Sequence, residues 1–141
     1  MLGKDFPTVG WPACGEIDVV ENNGDQPDWV QGSLHSNSGN VTARYYFTSP
    51  DSVTNWHIYD LVWSSGEIRW LVDGRLYETQ SMGVPFNAPF FFILNLAVGG
   101  TYVGNPAVAQ IEAGTTFPAE MLVDYVRVYG QTAPMALSVS A

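Results

Sequence analysis

The stretch WHIYDLVWSSGEIRWLVDGRLYETQ, residues 56–80, lays three apolar-rich runs end to end with two short polar breaks between them. Trp63-Ser64-Ser65-Gly66-Glu67 joins the first run to EIRWLVD, and Asp73-Gly74 then turns EIRWLVD into RLYETQ. An Asp-Gly pair between apolar runs is a strong hairpin signal, because both turn positions take φ angles that these two residues tolerate. The stretch predicts consecutive antiparallel strands over 56–64, 67–73 and 75–80. Outward from it, runs at 15–21, 30–37, 42–48, 90–98 and 121–129 also have strand composition, punctuated by Gly, Pro, Asn and Ser. No segment of helix length carries a 3.6-residue apolar period with caps. The pattern is that of an all-β, antiparallel sandwich or barrel.

Residues 85–100, PFNAPFFFILNLAVGG, are apolar at nearly every position before the glycine pair. A strand covered on both faces reads this way. Residues 101–120, with Gly104, Pro106, Gly114 and Pro118, read as a loop, and 131–141 as a tail or linker. One domain over residues 1–130 follows, and the length of 141 residues is near the common domain size.

Charged residues make up 13% of the chain, against roughly 25% in an average globular protein. The imbalance is acidic, 14 Asp and Glu against 5 Lys and Arg, for a net charge of −9. Such a surface repels phosphate backbones and anionic membranes, so nucleic acid and membrane are not expected partners. It suits a neutral, hydroxyl-rich substrate or a bound cation. Cys14 is the single cysteine, so no intrachain disulfide forms. The run FFFILNLAV, 90–98, is too short to span a bilayer, and no secretory leader pattern opens the chain.

In a chain so sparing with charge, GEIDVVEN, residues 15–22, sets Glu16, Asp18 and Glu21 among β-branched apolar side chains. A carboxylate in such a strand is costly unless a cleft uses it. Side chains alternate along a strand, so Glu16 and Asp18 share a face and Glu21 points away. One inserted residue, a β-bulge around Val19-Val20, would return Glu21 to that face. The two glutamates would then stand roughly 13 Å apart at the backbone and lean toward each other above the shorter Asp18. Carboxyl groups brought to about 5–5.5 Å are the nucleophile and acid/base of a retaining glycosidase. An exposed acidic strand, or half of a calcium site, would use the same residues.

The neighbours of these acids carry a resemblance. WPACGEIDVVEN, 11–22, resembles the catalytic signature of glycoside hydrolase family 16, Glu-x-Asp-x-x-Glu in its bulged, laminarinase-like form. The lichenase-like form of the family, Glu-x-Asp-x-Glu, drops one residue. GSLHS (32–36), WHIYDLVWSSGEIRWLVDGRLY (56–77), PFFFILNLAVGG (89–100) and MLVDYVRVYG (121–130) match in order, so the likeness runs over about residues 1–130. It implies a concanavalin A-like jelly roll with a concave cleft, hydrolysing β-1,3 or mixed β-1,3/1,4 glucan with retention. Carried over by position, Glu16 is the nucleophile, Asp18 its helper and Glu21 the general acid/base. The resemblance implies no cofactor for catalysis and a secreted enzyme acting on β-glucan.

The same likeness names further residues. Trp11 resembles the aromatic that stacks on the sugar beside the scissile bond, although a loop or core tryptophan would read alike. His35 resembles a histidine lining the cleft near the acid/base; a satisfied strand histidine is the alternative. Trp29 and Asn95 are substrate-binding candidates, Asn95 because it interrupts an apolar strand and must find hydrogen-bond partners. Asp124 resembles an aspartate that binds a structural calcium on the convex sheet, or is an ordinary strand acid.

The chain opens Met1-Leu2-Gly3, which resembles the end of a phrase that precedes the acidic strand in longer family members. The expectation is a partial jelly roll whose exposed sheet is covered by association, for instance as a homo-oligomer. A β-glucan-binding remnant without turnover is the alternative to an enzyme.

Overall fold

The computed structural model describes residues 1–130 and 134–135. Two units divide the chain, Met1–Leu94 and Asn95–Ala141. In the first, one antiparallel sheet is built from β1 (Leu2–Gly3), β2 (Glu16–Glu21), β3 (Trp29–Ser36), β4 (Gly39–Tyr46) and β8 (Phe90–Phe91), in the order β4-β3-β2-β1-β8. A second sheet holds β5 (Tyr59–Trp63), β6 (Glu67–Val72) and β7 (Arg75–Ser81), in sequence order. A short helix, α1 (Phe6–Val9), lies between β1 and β2.

The two sheets meet through a core of Ile17 and Leu34 from the first and Ile68 and Trp70 from the second, closed by Phe86. Each such side chain contributes roughly 1.5–3 kcal/mol on leaving water. Two details tie the acidic strand to this core. Trp70 Nε1 donates to the Asp18 carbonyl at 2.9 Å, a bond that crosses from sheet to sheet. Its ring lies so close to β3 that a Cβ at Gly32 would stand 2.6 Å from Trp70 Nε1, so only glycine fits there.

The 67–81 hairpin turns as its sequence requires: Asp73 and Gly74 take φ of 51° and 74°, the sign pattern of a type I′ turn. His57 anchors that turn. Its Nδ1 lies 2.8 Å from Asp73 Oδ2 and its Nε2 lies 2.9 Å from the Ser52 carbonyl. Both neighbours are acceptors, an arrangement that favours the imidazolium, whose two N–H groups can donate to both. Burial alone would lower its pKa, but the bonds to Asp73 and Ser52 outweigh that and raise it.

Three expectations need correction. The run 90–98 pairs only at Phe90 and Phe91, with Gly3 and Leu2; backbone groups need a neighbouring ladder to make a strand, and β1 offers two residues. Among the described residues the run 121–129 enters a ladder only at β9 (Val128–Tyr129), against β10 (Pro134–Met135). Within the 101–120 loop stand a 3-10 turn, Thr101–Val103, and a helix, α2 (Val108–Gly114). Ala, Gln and Glu favour that helix, but seven residues are too few to show a period. The expected tail lies outside the described residues except for 134–135.

Candidate active site

The geometry of the site is set by one irregularity in β2. Glu16 pairs with His35, Ile17 with Leu34 and Asp18 with Ser33, after which Glu21 pairs with Gln31. Three steps on β2 thus match two on β3, and the extra residue falls at Val19-Val20. The bulge does to Glu21 what alternation forbids. Glu21 Oε2 accepts from Gln31 Nε2 at 3.1 Å and Ser33 Oγ at 2.8 Å. Gln31 and Ser33 lie at alternate positions with His35, whose ring meets Asp18, so all three acids share one face.

Across the sheet the face is laid out in rows. Glu16, His35 and Asn40 form one, Asp18, Ser33 and Thr42 the next, and Glu21, Gln31 and Arg44 the third. Thr42 Oγ1 donates to Ser33 Oγ at 3.2 Å, which turns the Ser33 hydrogen toward Glu21. Both bonds go to Oε2, which leaves Oε1 of Glu21 outside them. At the other end, Trp11 Nε1 donates to Glu16 Oε2 at 2.6 Å, which leaves Glu16 Oε1 outside that bond. The Trp11 ring is 55% exposed and lies 6.1 Å from the His35 ring. It is a flat apolar surface beside a carboxylate, which suits a pyranose.

Asp18 sits between the glutamates. Burial, then the charges of Glu21 and Glu16, push its carboxyl up to about 7. Its Oδ2 lies 3.1 Å from His35 Nε2, close but not aligned as a hydrogen bond, and neither Asp18 Oδ2 nor His35 Nδ1 has a hydrogen-bond partner among the described residues. Near neutrality the site can therefore hold Asp18 uncharged, which relieves the repulsion among three acids on one face.

His35 is at the Glu16 end, not near Glu21, because the register pairs it with Glu16. Trp29 is on the acid-bearing face but is 5% exposed; Arg44 lies over its ring at 4.0 Å and its Nε1 donates to Gln26. It is therefore a covered ring rather than an open stacking platform. Asn95 and Asp124 belong to the second unit and are exposed. Among the described residues, Glu16, Asp18 and His35 are the set of three whose ligand atoms converge within 4.8 Å. Asp124 is in no such set among the described residues. Gln31, Ser33, Thr42 and Arg44 are the contacts that residue-by-residue reading missed; pairing β3 and β4 to the acidic strand would have found them.

Comparison with known proteins bears directly on this arrangement. Residues 6–126 match the family described as Glycosyl hydrolases family 16. The chain belongs to glycosyl hydrolase family 16. It is 37% identical to the β-glucanase of Rhodothermus marinus, over 89% of this chain and 48% of that protein. Its fold matches the laminarinase catalytic domain of Thermotoga maritima with a TM-score of 0.69 and 35% identity, over 77% of this chain and 49% of that one. The endo-β-1,3-glucanase of Pyrococcus furiosus matches with a TM-score of 0.68 and 36% identity, over 76% and 46%. This family 16 chain therefore spans about half the length of the relatives it matches. Its antiparallel two-sheet sandwich is of the jelly-roll type expected from the sequence.

Proposed function

We propose that the protein is a retaining endo-β-1,3-glucanase, acting on β-1,3 or mixed β-1,3/1,4 glucan. The observation that carries this reading is the bulge that puts Glu16 and Glu21 on one face with Asp18 between them. Glu16 Oε1 attacks the anomeric carbon while Glu21 gives its Oε1 proton to the glycosidic oxygen; the C–O bond breaks and a glycosyl ester forms. Glu21, now ionised, takes a proton from water, which attacks the same carbon from the opposite side of the ester and releases the sugar with its configuration retained. Trp11 supports the sugar ring and holds the second oxygen of Glu16. The names of the relatives, β-glucanase and endo-β-1,3-glucanase, support the substrate class.

Reducing ends released from laminarin and from barley β-glucan test the reading. Wild type should release them, and Glu16→Gln should lower the rate by roughly 10³-fold or more. Equal inertness of the two proteins, with laminarin still bound, would instead identify a glucan-binding protein.

Three finer elements belong to the same proposal. The enzyme is read as secreted, because polymeric glucan meets it outside the cell. The exposed apolar side chains at 91–94 are read as a face covered by a second copy, which the mass in solution measures. Asp124 enters only as a single carboxylate ligand of a structural calcium, with carbonyls and water completing the shell. Calcium should then raise Tm in wild type and not in Asp124→Ala.

A further inference from the structure

We propose that β4 extends the cleft beyond Glu21 and carries a sugar-binding subsite whose principal donor is Arg44. The inference rests on the glucanase reading and adds to it where the substrate chain continues. β4 is the edge of the first sheet, and Asn40, Thr42, Arg44 and Tyr46 occupy alternate positions on it. Their face is the acid-bearing one: Thr42 donates to Ser33, which donates to Glu21, and Arg44 lies over Trp29 of β3. All four are exposed. An amide, a hydroxyl, a guanidinium and a phenol in one row are the groups that bind sugar hydroxyls and stack on sugar rings.

Arg44 is set apart by how it is held. Arg69 is ion-paired to Glu67, Arg75 acts on Asp73, and Arg127 lies over Tyr125 in the second unit. Arg44 has no ion pair among the described residues, although the chain carries a net charge of −9. It is instead laid flat on Trp29, whose own N–H is fixed by Gln26. Stacking orients the planar fork and leaves its five N–H donors free at the rim. A fork pre-ordered in this way loses little entropy when it binds, and that favours a ligand offering several oxygens in a row. The occupant is the next sugars of the same neutral glucan: Arg44 stands directly opposite Gln31 of β3, whose amide holds Glu21. Tyr46, 60% exposed and paired with Trp29 in the register, offers an open ring one step further along. The covered Trp29 thus acts as the base on which the binding group rests.

Calorimetry on the Glu16→Gln protein with β-1,3-linked glucose oligomers from two to six units tests this. The hexamer should bind at least tenfold more tightly than the dimer. Arg44→Met should remove most of that advantage while leaving dimer affinity within about twofold. Arg44 is exposed, so the variant should fold, and an unchanged circular dichroism spectrum and Tm confirm it. An Arg44→Met protein that binds the hexamer as well as its parent overturns the subsite and leaves the glucanase reading intact. Equal loss for dimer and hexamer overturns it too, since the effect would then be general. Failure of every length to bind the parent, with no release of reducing ends by wild type, overturns the glucanase reading and the subsite with it. A fall in solution mass on Arg44→Met, with oligomer binding unchanged, would give the strip to a second copy and also overturn the proposal.

Discussion

At the scale of single residues, the acid trio was legible because alternation is a strict rule, and a third acid out of phase calls for a specific remedy. What alternation cannot supply is the neighbouring strand. Gln31, Ser33 and Thr42 are unremarkable letters until β3 and β4 are registered against Glu21. Trp29 shows the opposite failure: its face follows from the pleat, but whether Arg44 covers it depends on a side chain on another strand. The Ser33 contact leads to a prediction. Ser33→Ala takes one of two donors from Glu21 Oε2 and frees the carboxyl to rotate. A loss of roughly 1–3 kcal/mol is expected, a five- to hundredfold fall in kcat. KM should change little, since Ser33 is buried behind the acid. An aryl glycoside whose leaving group needs no protonation should be spared, and a loss as large on that substrate would show that Ser33 does not act through Glu21.

At the scale of elements, the two hairpins of 56–80 were legible in their turns and pairing order, but not in the start of β5 at Tyr59 or in the register shift at Trp70/Leu71. Asp73-Gly74 determines its own turn, and the run on either side has nowhere else to go. The bulge was legible too, but only as a requirement; the residue before it is held from the second sheet, where Trp70 Nε1 donates to the Asp18 carbonyl. The long apolar run 90–98 was read as a strand covered on both faces, but Phe91, Phe92, Ile93 and Leu94 are exposed: apolar composition does not supply the covering layer, and a ladder beyond Phe91 needs a partner strand. A deletion tests the bulge. Removing Val20 gives Glu-Ile-Asp-Val-Glu, which a regular strand places on one face without any insertion. Such a variant should keep activity within roughly a hundredfold of wild type, while Glu21 moved there by deletion remains essential when changed to Gln. A deletion variant that folds, by circular dichroism, yet is as inert as Glu16→Gln would show that the acids need the bulge itself rather than a common face.

At the scale of the whole molecule, charge and titration set the conditions under which the chain is stable. Asp18 is held protonated to about 7 in the folded state, against 3.8 for the free group. The native protein binds the extra proton in that interval, so stability falls as pH rises through it. His57 adds to the trend from above. Its raised pKa contributes stability that is complete below the unfolded value of about 6.5 and lost as pH rises through the folded one. Asp73 works on the acid side: its pKa is lowered, through the Ile58 N–H and His57 against the opposing pull of burial. Its contribution is present above about 4 and lost as pH falls below that. Tm should therefore peak at about pH 4 and decline from there toward pH 8. Asp18→Asn should flatten the lower part of that decline and His57→Gln the upper. A wild-type Tm that climbs steadily from pH 5 to 8 would contradict both assignments. None of this could be read from a net charge of −9, which shows an acidic surface but not which acid is buried.

The paired roles of Glu16 and Glu21 can be separated by the anomer formed when azide replaces a deleted carboxylate, using an activated aryl β-glucoside of the β-1,3 series. With Glu16→Ala, azide takes the nucleophile's place and attacks the anomeric carbon directly, so the product should be the α-glycosyl azide. With Glu21→Ala, azide attacks the glycosyl ester on Glu16 and the product should be the β-glycosyl azide. The reverse pairing of anomers, or no azide adduct from either variant while wild type cleaves the same glycoside, would contradict the roles assigned to Glu16 and Glu21.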